Sequence, residues 1–198
     1  MFALAINSSP RKNSNTGILI NHVLQPLKDA GWDTETVKIG ASPMRGCIAC
    51  MQCRKLQNKR CSITTDAFND IFPRMLEADA IILGTPTYFT DVTAEMKAFI
   101  DRSGYVAGSN GNAFAGKIGV GVTAVRRGGS THAFDTINHL FLKSNMIVPG
   151  SLYWNMGYGL GEGEVEGDKE GIANMVNLGQ MIAWLGKSLK ENMASMPK

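Results

Sequence analysis

At 198 residues, 44% hydrophobic and 19% charged, the chain predicts one domain over 1–198 with a core large enough to fold unaided. A formal charge of +3 is too small to argue for nucleic acid as a partner, and no apolar run approaches the roughly 20 residues that span a bilayer. With no basic, signal-like start either, the composition predicts a soluble, cytoplasmic protein without a membrane partner.

Residues 2–6 form a short apolar run, the pattern of a strand buried on both faces, and open into the polar stretch 7–16. Ile20, Val23, Leu24 and Leu27 then follow helical spacing, with Pro26 expected to kink or end the helix near its last turn and Gly31 to close it. β-Branched residues mark a second strand at 34–39, and a cysteine-rich loop at 44–62 follows. A second helix begins after Thr65 or Asp66 as N-cap and buries Phe68, Ile71, Phe72 and Met75. A third strand falls at 79–84 and a polar, aromatic loop at 85–91, after which Val92, Met96, Phe99 and Ile100 mark one face of a third helix. Residues 117–125 predict a fourth strand, 126–130 turn into a helix through about 145, and 147–153 give a fifth strand. A glycine-rich loop at 154–168 and an amphipathic helix at 170–190 complete the chain.

Strands alternating with helices argue for an open parallel α/β sheet with right-handed crossovers. Ligands of such sheets sit at the C-terminal strand edge, so the loops after strands one, three and four, at 7–16, 85–91 and 124–130, form the expected site.

The stretch 7–16 suits a phosphate. Backbone N–H groups and the start of the following helix supply donors, Ser8, Ser9, Ser14, Asn15 and Thr16 add side-chain donors, and Arg11 adds charge. It lacks both Gly-x4-Gly-Lys-Ser/Thr and Gly-x-Gly-x2-Gly, and no cysteine lies beside it to act as a phosphatase nucleophile. Gly119, Gly121 and Ala124 match a looser dinucleotide pattern but fall inside the fourth strand rather than in a turn. FMN fits better. Pro86 fixes the backbone, Tyr88 and Phe89 offer π-faces, and Thr87 and Thr90 could donate to pyrimidine carbonyls. Arg126 or Arg127, with Gly128 and Gly129, could bring positive charge and close backbone to a reduced ring. Tyr88 and Arg127 are the candidates for tuning the flavin. No acid–base catalyst is required, and His132 and His139 are read as surface or packing residues.

Ser8-Ser9-Pro10-Arg11 with Asn15-Thr16, then Thr85-Pro86-Thr87-Tyr88-Phe89, Met96-Lys97-Ala98-Phe99-Ile100-Asp101-Arg102, and Arg126-Arg127-Gly128-Gly129 together resemble the flavodoxin-like FMN reductase family. The resemblance implies a three-layer α/β fold with a five-stranded parallel sheet in the order 2-1-3-4-5.

The cysteines crowd into one segment as Cys47-x2-Cys50-x2-Cys53-x7-Cys61, a poor framework for disulfides but a candidate ligand set. Four thiolates are the number a cubane iron–sulfur cluster requires, and x2 gaps let one loop wrap three corners. Zinc, which more often uses two separated knuckles, and redox-active or unliganded thiols are the other readings. Arg45, Arg54, Lys55, Lys59 and Arg60 flank the cysteines, and no acidic residue lies from Arg45 through Arg60. These cations would stabilise an anionic cluster or dock an acidic electron carrier; the alternative is a merely solvated basic loop. The two x2 gaps resemble the motif of the iron–sulfur flavoproteins. That resemblance implies a [4Fe–4S] cluster beside FMN, a ferredoxin-like donor, and a homodimer or homotetramer in which cluster and flavin communicate across a subunit boundary.

Three functions follow as expectations. The first is an FMN-dependent oxidoreductase coupling the flavin to a [4Fe–4S] cluster. The second is an NAD(P)H-dependent FMN or quinone reductase without a cluster, and the third a zinc-stabilised binding module that is not an enzyme.

Overall fold

Three apolar runs are buried almost without interruption: β1 (Phe2–Asn7), β3 (Ala80–Pro86) and β4 (Ile118–Val125). Strands apolar on both faces require cover on both faces, and they lie at the centre of a parallel sheet. The half-exposed β2 (Asp33–Lys38) and the three-residue β5 (Met156–Tyr158) form its edges. The computed structural model describes residues 1–192, and the sheet order is β2-β1-β3-β4-β5, the flavodoxin-like order expected from the sequence.

The covering helices are α1 (Asn15–Asp29), α2 (Gln52–Leu56), α3 (Phe68–Glu77), α4 (Ala94–Ser109), α5 (Ser130–Lys143) and α6 (Lys169–Asn192). On one face α1 and α6 bury Leu19, Val23, Leu27, Met175, Leu178 and Ile182 against Ala3, Ala5, Ile82 and Val122. On the other, Phe68 and Phe72 of α3, Phe99 of α4 and Phe141 of α5 pack over Leu4, Ile6, Ile81 and Leu83. Caps set the starts of two helices: Ser14 accepts from Gly17 N at 3.0 Å, and Thr93 accepts from Met96 N at 3.2 Å. The first helix runs past Pro26 to Asp29, so the proline removes one ladder bond in the last turn without ending it. No described helix is long and apolar enough to cross a membrane.

The expected fifth strand at 147–153 is a correction. Ile147 makes a single bridge to Ile118, donating to Lys117 O at 2.9 Å and accepting from Gly119 N at 3.0 Å, and the pairing stops there. Pro149 has no N–H to continue a ladder, and the chain leaves the sheet until Asn155 O accepts from Thr123 N at 2.9 Å. Pairing resumes in β5, with Val125 opposite Tyr158. The cysteine-rich loop also holds structure that its sequence does not announce, the five-residue α2 beginning beside Cys53.

Candidate functional site

The central strands end together. Asn7 lies opposite Gly84, Pro86 opposite Ala124, and Val125 opposite Tyr158, so the loops that follow open on one edge. They surround a cavity of about 150 Å³ lined by Ser9, Arg11, Asn15, Thr16, Pro86, Thr87, Tyr88, Ala124 and Arg126, with Gly159 and Leu160 from the loop after β5.

The first loop is held from several sides. Asn7 Oδ1 accepts from Ser9 N at 2.9 Å, and Lys38 Nζ donates to Arg11 O at 2.6 Å. Gly40, just past β2, lies so close to the loop that a Cβ there would stand 2.3 Å from the Ser9 carbonyl. Ser14 spends its hydroxyl on capping α1, which leaves it anchoring the loop rather than facing a ligand. Thr16 Oγ1 and, across the cavity, Thr87 Oγ1 are buried without a hydrogen-bond partner, and so is Ser8 Oγ, although Ser8 does not itself line the cavity. Each such group costs about 1–3 kcal/mol when left unpaired. Three of them around one strand edge, beside the free N–H groups of a helix start, are the donor set a phosphate and a polar ring would satisfy.

Arg11 Nη1 donates to Leu160 O at 2.6 Å, Asn15 Nδ2 donates to Gly161 O at 2.9 Å, and Asn15 Oδ1 accepts from Val165 N at 3.3 Å. These bonds bring the glycine-rich loop over the loop 7–16. Sequence reading missed Gly159 and Leu160 as lining residues because backbone groups hold them there, Gly159 N donating to Val125 O at 2.9 Å and Leu160 O accepting from Arg11, and any residue type has such groups.

Past β3, Thr87 N donates to Ala124 O at 2.8 Å, and Tyr88 and Asp91 exchange both backbone bonds at 2.8 and 3.0 Å. Phe89 and Thr90 between them have φ of 47° and 68°, the positive pair of a type I′ turn. The turn throws Phe89 fully into solvent and sets Thr90 against Gly129. Phe89, Thr90, Arg127, Gly128 and Gly129 therefore do not line the cavity, whereas Tyr88 and Arg126 do. Burial pushes the Asp91 carboxyl up, but bonds from Thr136 Oγ1 at 2.8 Å and Val92 N at 2.7 Å, with His132 nearby, hold it below the usual carboxylate range.

In a separate, small cavity, Cys47, Cys50, Cys53 and Cys61 all form part of the wall, with Arg102, Tyr105 and Val106 of α4. Ala49, Met51, Gln57 and Lys59 have φ between 48° and 58°, so the segment winds through repeated left-handed turns that non-glycine residues adopt at a cost. Asn69 of α3 clamps its end: Oδ1 accepts from Cys61 N, and Nδ2 donates to Cys61 O and Ile63 O, each at 2.9 Å. Ser62 Oγ lies 3.0 Å from Cys50 Sγ, and this contact and the Gln52 N–H lower the Cys50 thiol below its ordinary value. Among the described residues no three His, Cys, Asp or Glu side chains are grouped closely enough to hold a metal ion. The thiols thus share a cavity without converging on one centre. Their number and softness, in a wall that is otherwise largely apolar, fit an iron–sulfur cluster.

A profile of the family described as NADPH-dependent FMN reductase matches residues 1–161. An iron-sulfur flavoprotein of Methanocaldococcus jannaschii is 33% identical over 198 residues, covering 96% of this chain and 100% of its own. An iron-sulfur flavoprotein of Methanosarcina thermophila is 32% identical over 147 residues, covering 73% of this chain and 75% of its own. Among solved structures, a flavodoxin from the domain Archaea superposes with a TM-score of 0.62 at 16% identity, covering 94% of this chain and 99% of that one. RosB superposes with a TM-score of 0.71 at 16% identity, covering 96% of this chain and 81% of that one. These structural likenesses speak for the fold.

Proposed function

Because the chain belongs to the NADPH-dependent FMN reductase family, in its iron-sulfur flavoprotein branch, and is a flavin-dependent oxidoreductase, we propose that it couples FMN at the strand edge to a [4Fe–4S] cluster on Cys47, Cys50, Cys53 and Cys61. One observation carries the coupling: all four cysteines line a single cavity of the same domain whose strand edge gathers Ser8, Thr16 and Thr87 with unpaired buried hydroxyls. When bound, FMN supplies two-electron chemistry and the cluster one-electron transfer.

The chain's own residues do the rest. Ser8, Ser9, Thr16 and the N–H groups at the start of α1 bind the phosphate, and Arg11 balances its charge. Asn15 and Arg11 hold the glycine-rich loop against it and exclude water. Thr87 and Tyr88 orient the ring, and Arg126 lends positive charge where negative charge grows on reduction. Arg45, Arg54, Lys55, Lys59 and Arg60 are exposed beside the cysteines, a face complementary to an acidic, ferredoxin-like carrier. Exposed Ile48, Met51 and Leu56 on the same segment support a homodimer or homotetramer closing over it.

A second reading, an NAD(P)H-dependent FMN or quinone reductase without a cluster, is favoured by the family description and by an NAD(P)H dehydrogenase (quinone) of Trichlorobacter lovleyi. That relative is 38% identical over 82 residues, 40% of this chain.

One preparation, purified without oxygen, separates these. The test is a visible spectrum before and after reduction, with FMN, iron, sulfide and zinc assayed on the same sample. FMN together with about four iron and about four acid-labile sulfide per flavin is the expected result. FMN without iron, bleached rapidly by NADPH, selects the second reading, and zinc with neither flavin nor sulfide overturns both.

A further inference from the structure

Arg102 heads the fully buried side chains by volume, and nothing in the phosphate site uses it. Its guanidinium is engaged on three sides. Nη1 donates to Asp66 Oδ2 at 2.6 Å and Arg45 O at 3.2 Å, and Nη2 donates to Ile63 O at 3.2 Å. The Phe68 ring covers one face, with its centroid 4.2 Å from the guanidinium carbon. These contacts fix the plane of the group and leave one of its three nitrogens without a partner. Arg102 Nε is buried with no hydrogen-bond partner, and Arg102 forms part of the wall of the cavity that the four cysteines line.

An arginine donor buried without an acceptor is expensive, and an ionised donor more so. Asp66, Arg45 O, Ile63 O and the Met44 sulfur, at 3.6 Å, are engaged by Nη1 and Nη2 instead. Among apolar side chains and the hydroxyl-bearing Ser62 and Tyr105, the cavity wall presents four thiol sulfurs, from Cys47, Cys50, Cys53 and Cys61. As neutral thiols these are weak acceptors, but as thiolates sharing a cluster they are anionic and accept readily.

Resting on the cluster reading above, we propose that Arg102 Nε–H donates a hydrogen bond to the sulfur shell of that cluster and sets its reduction potential. Reduction adds one electron and one unit of negative charge to the sulfur-rich group, so the bond is stronger in the reduced form and raises the potential. Asp66 offsets the guanidinium charge, which makes the directed N–H, rather than net charge, the source of the effect. Arg102 is a positioning residue: it holds both flanks of the cysteine segment with one end and reaches the cluster with the other.

The test compares holoprotein of the wild type, Arg102→Lys and Asn69→Ala in redox titrations followed by low-temperature electron paramagnetic resonance. Lysine keeps a cation opposite Asp66 but cannot also supply the Nε donor. Asn69→Ala loosens the same segment and retains Arg102. The expected result is that Arg102→Lys lowers the reduced-to-oxidised ratio at fixed potential about tenfold, a shift of about 59 mV to lower potential for a one-electron couple. Asn69→Ala loses iron but shifts the remaining cluster far less. An unchanged potential in fully loaded Arg102→Lys overturns the proposal while the cluster reading stands, as does an equal shift in Asn69→Ala. A wild-type protein that binds neither iron nor sulfide removes both. If Arg102→Lys does not fold, the double variant Asp66→Asn/Arg102→Gln, a neutral amide pair without the Nε–H, is read in the same way.

Discussion

Arg102 and Asp66 meet at 2.6 Å with neither side chain touching solvent, and between them they tie down both flanks of the cysteine segment. Asp66 Oδ2 also accepts from Arg45 N at 2.9 Å, ahead of Cys47, while Arg102 reaches Ile63 O, behind Cys61. Truncating one partner strands a buried charge, which typically costs about 3–5 kcal/mol. Arg102→Met and Asp66→Ala are therefore each expected to lose stability on that scale in urea denaturation of the cofactor-free protein, while the pair removed together costs less than the two losses summed.

The same pair gives an acid dependence with a definite sign. Burial pushes the Asp66 carboxyl up, but the Arg102 hydrogen bond and charge, with the Arg45 and Phe68 N–H groups, win and hold it below the usual range. A group whose folded value is depressed contributes stability that is present above its unfolded value, about 3.9, and is lost as pH falls through the folded one. Denaturation midpoints of the wild type should drop below about pH 4. Asp66→Asn, less stable at neutral pH, should show a shallower fall.

Removing an unpaired hydroxyl should not hurt the empty protein. Ser8→Ala is expected to leave the apoprotein as stable as the wild type or slightly more so, because Ser8 Oγ has no partner to lose. FMN affinity should fall about fivefold to tenfold, roughly 1–1.4 kcal/mol, when measured by flavin fluorescence quenching.

Gly40→Ala tests the loop from behind. The added Cβ would meet Ser9 backbone at 2.3 Å, a contact that a flexible side chain cannot relieve. The loop must move, and FMN binding is expected to weaken by at least about tenfold, roughly 1.4 kcal/mol. Calorimetric titration with FMN measures it, and unchanged affinity would show that the loop shifts freely.

Phe89 offers a gain. It holds φ of 47° with its ring fully in solvent, so it pays for a left-handed conformation without packing in return. Phe89→Asn suits the first central position of a type I′ turn and is expected to raise stability by about 1 kcal/mol in thermal denaturation.

The elements that read correctly from the sequence are those whose reasons are local. Phe68, Ile71, Phe72 and Met75 repeat with helical spacing and are all buried in α3, and the continuous apolar runs became the buried β1, β3 and β4. The run 147–153 carries Ile147, Val148 and Leu152 around Pro149-Gly150-Ser151 and failed as a strand. Whether a run pairs depends on a neighbour's free edge and on Pro149, not on its own hydrophobicity. Gly157 in the true β5 is explained only by distant contacts, since a Cβ there would strike Leu19 and Val165.

The site divides along the same line. Side-chain chemistry, loop position and short gaps, all written in the sequence, single out the four cysteines, the serines and threonine of the loop 7–16, and Tyr88 as candidates. The tertiary structure decided what holds them. Asn69 reaches back to Cys61, Arg102 reaches across to Asp66 and Ile63, and Arg11 and Asn15 reach the carbonyls of Leu160 and Gly161 from the opposite end of the chain. Arg102 shares the buried face of α4 with Phe99, Ser103 and Val106. Its meaning waited on the fold, because a buried donor is defined by the acceptors that surround it, and those come from segments that only folding brings together.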